Sequence, residues 1–583
     1  MFIRTVNVPS SSGAVHQYVR VVESFRQDGK VKQRVLADLG RKDFLLPLLP
    51  QLRRVLLGEP RVPGEDPQDV DIVDASTWGP VLAVRTLVEQ LGLGEILQRL
   101  LPTAKDGVAY ADRVVVLLAC RLIRPSSEHG LARWLETDFV CDRQGRRFVP
   151  HWHQRRRVQV HPRQLDAWYR TLDRLVAVKE DVEVELYQRL RDLFSLQPDL
   201  VLFDITSTYF EGSGPEGFAR HGYSRDGKPH NVQVVVGLVM VGGWPIAHYV
   251  WQGNRLDVTT VQEVIRDLTK RFSFARIIFV GDRGMVSEDN LDALMRDSHG
   301  YLVGLKRRRN AQLDNWLQQL DESAWQNCPV GITAREKKEN PPRTRVQEVQ
   351  TGDESQRVFV IDSDERRQYE EGKRTQAMER TRVKLQSVQQ RVAQGELSEP
   401  AQIGAAAERA LRAHHGYRYF AWELREGAFE FFEHPLHFAR EKRLEGRYVI
   451  ATSEKAITAL DAVAWYKQLT EVERSFRRMK DVLAVRPVYH RVEPRVRGHI
   501  FVAALALLLQ TYLQRRLDEA GVPLSAEHAL QALETIRHVT FQVHGESRNG
   551  VSASNPRARQ VLHALNITDP RPPRPPAGDE TVM

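Results

Sequence analysis

Asp204, Asp282 and Glu473 are the residues of this chain whose types and settings best suit chemistry on phosphate. Asp204 closes the apolar run Leu200-Val201-Leu202-Phe203, and Asp282 follows Ile277-Ile278-Phe279-Val280-Gly281. In an open α/β sheet, functional groups gather at the carboxyl ends of strands. A strand-end aspartate can equally do no more than cap a turn. Glu473 lies in a stretch without Gly or Pro, Asp461 to Lys480, where Tyr466, Glu473 and Lys480 fall seven residues apart in turn. At about 100° per residue such positions drift by only ~20° and form one stripe along a helix. Leu469 and Phe476 flank that stripe and would press it against a core. A phenol, a carboxylate and an ammonium in one line make a poor core face; the alternative is a solvated stripe with chance spacing.

Converging carboxylates suit hard, oxygen-seeking divalent ions, and magnesium takes one or two of them along with water and phosphate oxygens. Two such ions ~3.5–4 Å apart can serve an in-line phosphoryl displacement. Lys480, Arg474, Arg477 and Arg478 would add phosphate-binding charge nearby. No Gly-x-x-x-x-Gly-Lys-Ser/Thr loop is present, so nothing supports an ATP-driven mechanism. His221, His230 and His248 lack the spacing and partner cysteines of a zinc site.

The elements that must position these groups follow from changes in texture. Residues 1–72 alternate β-like runs with charged turns and end in a Pro/Gly/Asp-rich linker at 59–67. Residues 73–196 are helical in pattern, with basic clusters at Arg143, Arg146 and Arg147 and at Arg155, Arg156 and Arg157. This region is compatible with a DNA-binding domain, or else is a helical module with solvated charges. Residues 197–305 read as β, β, β, α, β, α, β, with Asp257 as N-cap of the first helix. A hairpin followed by crossover helices implies a mixed sheet in an α/β layer. Residues 306–445 read as an insertion: Lys306-Arg-Arg-Arg309, a charged helix at about 364–394, then aromatic β segments. The strand pattern resumes at Arg447–Thr452, so 446–515 completes the core with the Glu473 helix. Residues 516–583 are a helical region with a Pro-rich tail from Asp569 that is expected to be disordered.

Composition sets outer bounds. The 583 residues are 42% hydrophobic, enough for sizeable cores, and the net charge of +9 permits a polyanionic partner without requiring one. The three cysteines, Cys120, Cys141 and Cys328, form no Cys-x-x-Cys pair, which disfavours a disulfide framework. The amino terminus carries no signal-like apolar stretch, and the run Ile500–Leu509 is half of the ~20 residues needed to span a bilayer. These features predict a soluble, cytoplasmic protein.

Five segments in order carry a resemblance. They are Phe203-Asp204-Ile-Thr-Ser-Thr-Tyr-Phe-Glu-Gly212, Gly222-Tyr-Ser-Arg-Asp-Gly-Lys-Pro229, Gly253-Asn254-x-x-Asp257, Val280-Gly-Asp282-Arg283-Gly284, and a Tyr-x2-Arg-x3-Glu-x6-Lys pattern read as Tyr466, Leu469, Glu473 and Lys480. The chain resembles the DDE-class transposases of bacterial insertion sequences, in the insertion-sequence-four superfamily and its sixteen-thirty-four-like branch. The resemblance covers about 198–310 and 446–510. It implies an RNase H-like catalytic core interrupted by a β-rich insertion, with Asp204, Asp282 and Glu473 as catalytic metal ligands. It also implies Mg²⁺ as cofactor, with two ions and Mn²⁺ as a substitute. Tyr466 and Lys480 inherit contacts to phosphates at the transposon end. Leu469 stands where the pattern has Arg, so that contact is lost or passes to Lys467 or Arg474.

Arg477 and Arg474 are expected to contact DNA from neighbouring helix positions. Arg283 either reaches phosphate or pairs with an acid. Trp422 either stacks on an unpaired base or belongs to the core of a small sheet. The expected function is a transposase that binds double-stranded DNA at terminal repeats and at the target, works as a homodimer, cuts the ends and transfers a 3′-hydroxyl strand. The alternatives are a catalytically silent DNA-binding derivative and a stand-alone RNase H-like nuclease. Retention of all three acids disfavours the first.

Overall fold

The computed structural model describes the chain except residues 10–14, 28, 58–69, 149–161, 197–199, 286, 307–311, 330–341, 544–545, 577–580 and 583. The expected linker at 59–67, Arg155–Arg157 and Arg307–Arg309 therefore lie outside the described residues. Two compact units emerge: Met1–Ala75 with Val539–Gly550, and Ser76–His538 with Val551–Met583.

The smaller unit begins with an antiparallel sheet of β1 (Phe2–Pro9), β2 (Val15–Gln27) and β3 (Lys30–Arg41), in that order. A helix, α1 (Lys42–Leu57), follows where the sequence showed only alternating texture, and then β4 (Val70–Thr77). A second three-stranded sheet pairs β4 with a hairpin from far along the chain, Arg537–Val543 and Glu546–Val551. The first segment of the smaller unit ends at Ala75, and the region from 516 is not purely helical, because this hairpin belongs to the smaller unit.

In the larger unit, α2 (Gly79–Gln90), α3 (Leu93–Leu100), α4 (Tyr110–Ile123), α5 (Glu128–Thr137), the short β5 (Arg147–Phe148), α6 (Pro162–Ala177) and α7 (Lys179–Phe194) come first. The expected strand and helix order then follows as β6 (Leu200–Tyr209), β7 (Gln233–Val241), β8 (Trp244–Gln252), α8 (Val261–Phe272), β9 (Ile278–Gly281), α9 (Glu288–Arg296) and β10 (Gly300–Gly304). Beyond them lie α10 (Leu313–Gln318), β11 (Gln326–Asn327), β12 (Thr344–Val349), β13 (Arg357–Ser363), α11 (Asp364–Ala393), α12 (Pro400–Ala413), β14 (Phe420–Arg425), β15 (Ala428–Glu433), α13 (Pro435–Leu444) and β16 (Arg447–Thr452).

Nine strands make one mixed sheet in the order β11-β12-β13-β16-β10-β9-β6-β7-β8. β6, β7 and β8 run antiparallel in sequence, while β9 and β10 add parallel on the other side of β6. Every residue of β7 (QVVVGLVMV) is buried, as a strand covered on both faces requires.

The region 306–445 is not a single inserted body. Its β11, β12 and β13 extend the main sheet, and β13 pairs antiparallel with β16. Only the later part, with α11, α12 and the β14–β15 hairpin, forms a separate small core around Leu385, Ile403, Ala407 and Phe429.

After β16 come α14 (Ala459–Lys467), α15 (Leu469–Arg477), a π-turn at Arg478–Val482, and α16 (Glu493–Glu519). α16 is long and apolar enough to cross a bilayer by length and composition, but 89% of its apolar window is buried inside the protein. It is a central core helix. α2, α4, α6 and β8 all pack on it, and Gly498 admits the close approach of α6, since a Cβ there would meet the Leu172 carbonyl oxygen at 2.9 Å. The helices of 73–196 therefore share one hydrophobic core with the sheet, and no compact-unit boundary falls at 196.

The Pro-rich tail is ordered where it is described, contrary to expectation. The Trp78 indole donates to the Pro570 carbonyl at 2.6 Å. Gly145 lies so close to Pro573 that a Cβ would sit 2.2 Å from its carbonyl oxygen. Thr581–Val582 adds to β5 in parallel. Prolines restrict the unbound chain, which lowers the entropy lost when it docks.

Candidate active site

β6 does not end at Asp204. β7 pairs with it as far as Tyr209↔Gln233, so Asp204 lies mid-strand, opposite Leu238. What stops near that level is the parallel neighbour: β9 registers Leu202↔Val280 and ends at Gly281. Continuing that register by two residues puts Asp282 beside Asp204. The exposed Asp282 opens a turn in which the Met285 N–H donates to its carbonyl at 3.0 Å.

Glu473 comes from α15, which packs on β6 and β7 through Leu469, Val472, Ser475 and Phe476 and leaves Glu473 exposed. The single helix expected from Asp461 to Lys480 is instead interrupted at Gln468 and closes in the π-turn. The buried seam through Leu469 and Phe476 survives that break. Leu469, standing in place of an arginine, is core.

The charges of the three acids meet at Asp204. Its carboxyl is pushed up to about 7, first by burial and then by the nearby charges of Asp282 and Glu473, against the Ile205 N–H that donates to Oδ1 at 2.8 Å and the Arg225 charge. A buried carboxylate that also faces the charges of two others is a setting that a bound cation relieves. The donor set is all oxygen, as magnesium and manganese prefer.

Three of the signature segments pack together beside this site. Gly222 and Gly253 allow two backbones to touch: a Cβ on Gly222 would lie 2.1 Å from the Gly253 carbonyl oxygen. Arg225 pairs with Asp257 at 2.6 Å, and Asp257 Oδ2 lies 3.3 Å from where a Cβ on Gly284 would stand. Asp257 is thus not the N-cap of α8; Thr260 holds that position, and Asp257 binds the loop after β6 instead. These partners were visible only as motif letters, since a motif does not say which residues bond to which.

The other expected residues divide. Tyr466 is largely buried, with its hydroxyl over Gly304 of β10, and burial and the Asp282 charge hold its proton on well above the usual phenol range. Lys480 Nζ donates to Thr206 Oγ1 at 2.6 Å and to Asp226 at 2.8 Å. Arg283 and Arg477 are exposed, and exposed Arg474 pairs with Glu471 at 2.5 Å. Trp422 stacks on Phe429 with ring centres 5.7 Å apart and lies against Gly404. It belongs to the small core, not to a displayed stacking surface. The basic cluster at 143–147 is spent internally: Arg143 on Asp112, Arg146 on Asp142 and Arg147 on Ser76.

Among the described residues, one group of three brings its donor atoms within 4.8 Å of one another, and it is Glu128, His490 and His499. It does not suit a cation. A guanidinium only donates, so Arg121, 3.2 Å from His499 Nδ1, makes that nitrogen the acceptor, and Nε2 is left to donate to the Val485 carbonyl at 3.0 Å. Burial and the Arg121 charge push His499 down to about 3. Both nitrogens are committed, beside a fixed positive charge.

The mixed α/β fold agrees with the comparisons. A family model described as the transposase DDE domain matches residues 196–509, over half the chain, and the chain belongs to that family. A second, the IS1634 family transposase N-terminal domain, matches residues 3–62, so the protein is an IS1634-family DDE transposase. Among curated proteins nothing matches.

Proposed function

We propose that this transposase binds the terminal inverted repeats of its own insertion sequence, pairs two ends as a homodimer, cuts them, and transfers the freed 3′-hydroxyl strand into target DNA. Asp204, Asp282 and Glu473 are the residues that hold its divalent ions, with Mg²⁺ resident and Mn²⁺ able to substitute. Held by these three carboxylates, such ions would supply the charge that activates an attacking oxygen and stabilises a leaving one.

The chain's own residues set the geometry. β6 fixes Asp204 through its full pairing with β7, the end of β9 delivers Asp282 at the same level, and α15 brings Glu473 over the sheet. The antiparallel β6–β8 with β9 and β10 added in parallel supports an RNase H-like reading of this core. Lys480, Arg283 and Arg477 supply positive charge for the DNA backbone, and the Tyr466 hydroxyl, kept protonated, is a donor near Asp282. Such phosphate contacts position DNA without reading its sequence. The site of action is the bacterial cytoplasm, where the element's DNA lies.

What supports this reading most is the placement of Asp204 mid-strand on β6 beside the end of β9, with α15 packed on β6, and an Asp204 carboxyl held up by burial first and by the Asp282 and Glu473 charges after it. The experiment supplies purified protein with the element's ends and Mg²⁺. Asp204→Asn, Asp282→Asn and Glu473→Gln should each reduce cleavage and joining to background while leaving end binding largely intact, because phosphate contacts carry most of the affinity. Substantial cutting by any one variant removes that residue from the site. Cutting without joining in the wild type would favour a nuclease.

A further inference from the structure

We propose that Asp226 is a positioning residue whose carboxylate holds Lys480 and Arg486 together as a two-cation cradle for a DNA phosphate beside Asp204. The proposal rests on the reading of Lys480 as a phosphate contact and names what makes that contact possible.

Asp226 lies in the loop after β6, within the segment Gly222–Pro229. Its Oδ1 accepts from Lys480 Nζ at 2.8 Å and also from Arg486 Nη1. Each cation has a second tether: Lys480 on Thr206 Oγ1 at 2.6 Å, Arg486 on Asp481 at 2.7 Å. Thr206 is two residues beyond Asp204 on β6, and positions two apart share a face of the sheet. The ammonium is thereby fixed on the face that carries the first catalytic acid.

Exposure rises outward through the cluster. The Asp226 side chain is 2% exposed, that of Lys480 11% and that of Arg486 25%. The acid is the floor and the cations are the rim. One buried carboxylate against two cations leaves a positive balance there, since Asp481 is more than half exposed and its charge is screened.

Asp226 Oδ2 is buried without a hydrogen-bond partner. An orphaned buried oxygen costs stability, so stability alone does not explain an acid at this position. Arg486 and Asp226 are 260 residues apart in sequence, and although the basic stretch from Arg486 suggests contacts to the DNA backbone, no local pattern links it to Asp226. The opposite arrangement is a latch, in which Asp226 occupies the phosphate position and must be displaced by DNA. The burial order disfavours it, because a phosphate would have to reach beneath both cations.

The two arrangements predict opposite results. Full-length protein in EDTA is titrated onto a fluorescent duplex carrying the element's terminal repeat, across a range of salt, and log affinity is plotted against log salt. Each phosphate contact contributes about 0.9 to the slope. Lys480→Gln and Arg486→Gln should each lower the slope by about one, and Asp226→Asn by about one to two. Adding Asp226→Asn to the Lys480→Gln, Arg486→Gln pair should lower it no further, and Asp226→Glu should restore most of it.

Tighter binding by Asp226→Asn would overturn the cradle in favour of a latch. Weaker binding with an unchanged slope would reduce Asp226 to a structural role. Should Asp226→Asn fail to fold, the lysine and arginine variants still decide: unchanged slopes in both overturn the proposal. Cutting by Asp204→Asn would sink the catalytic reading whatever Asp226 does, so the two failures are distinguishable.

Discussion

Asp204 carries a charge that its surroundings oppose, and that has a consequence for stability. Its carboxyl sits at about 7 in the fold against an ordinary value of 3.8. Between those values the native state holds a proton that the unfolded chain has released, so the fold loses stability as pH rises through that window and loses no more above it. Asp204→Asn removes the ionisable group. It should stabilise the protein at pH 8, by on the order of 1–3 kcal/mol, and give no gain at pH 4, as read by calorimetric melting at both values. Equal or lower melting temperatures at pH 8 would mean that burial and the neighbouring acids do not hold the Asp204 carboxyl up. The acids themselves were legible in sequence, because their types and settings limit what they can do. Their supports were not: Lys480 finds Asp226 across 254 residues of chain, and no local pattern encodes such a pairing.

Elements were legible where one face is uniformly apolar. The continuous apolar run of β7 and the Val261, Val264, Ile265, Leu268 face of α8 are both readable directly from the residues. Breaks were not, because nothing in the residues from Asp461 to Lys480 forbids a continuous helix, and tertiary packing on β6 decides where α14 gives way to α15. A buried ion cluster joins three elements of the same unit. Glu183 of α7 accepts from His248 of β8 at 2.8 Å, from Arg271 of α8 at 2.5 Å and from Lys179 at 2.7 Å. Glu183→Gln leaves two fixed cations without their shared counter-charge, and should cost about 3–5 kcal/mol in denaturant unfolding. A cost under about 0.5 kcal/mol would show that water reaches the cluster. His248 is pushed down to about 4, first by burial and then by Lys179. Kept neutral in the fold, it adds to acid instability as pH falls from 6.5 towards 4.

At the scale of the molecule, the texture changes that marked 73–196 and 306–445 are real, but they do not delimit independent bodies. Shared burial decides that. α16 is apolar nearly all round because α2, α4, α6 and β8 surround it, and β12 and β13 join the main sheet because their apolar faces continue it. Composition alone cannot report which elements cover one another, and it misread a Pro-rich tail that a tryptophan and a glycine receive. The account depends on this architecture bringing acids from β6, the end of β9 and α15 to a common cation. Titrating Mn²⁺ into the protein bound to its DNA end, with free Mn²⁺ followed by electron paramagnetic resonance, tests it most directly. The wild type should bind Mn²⁺ at sites that Asp204→Asn, Asp282→Asn and Glu473→Gln each weaken at least about tenfold, a loss of roughly 1.4 kcal/mol. Wild-type Mn²⁺ binding in Glu473→Gln would contradict it.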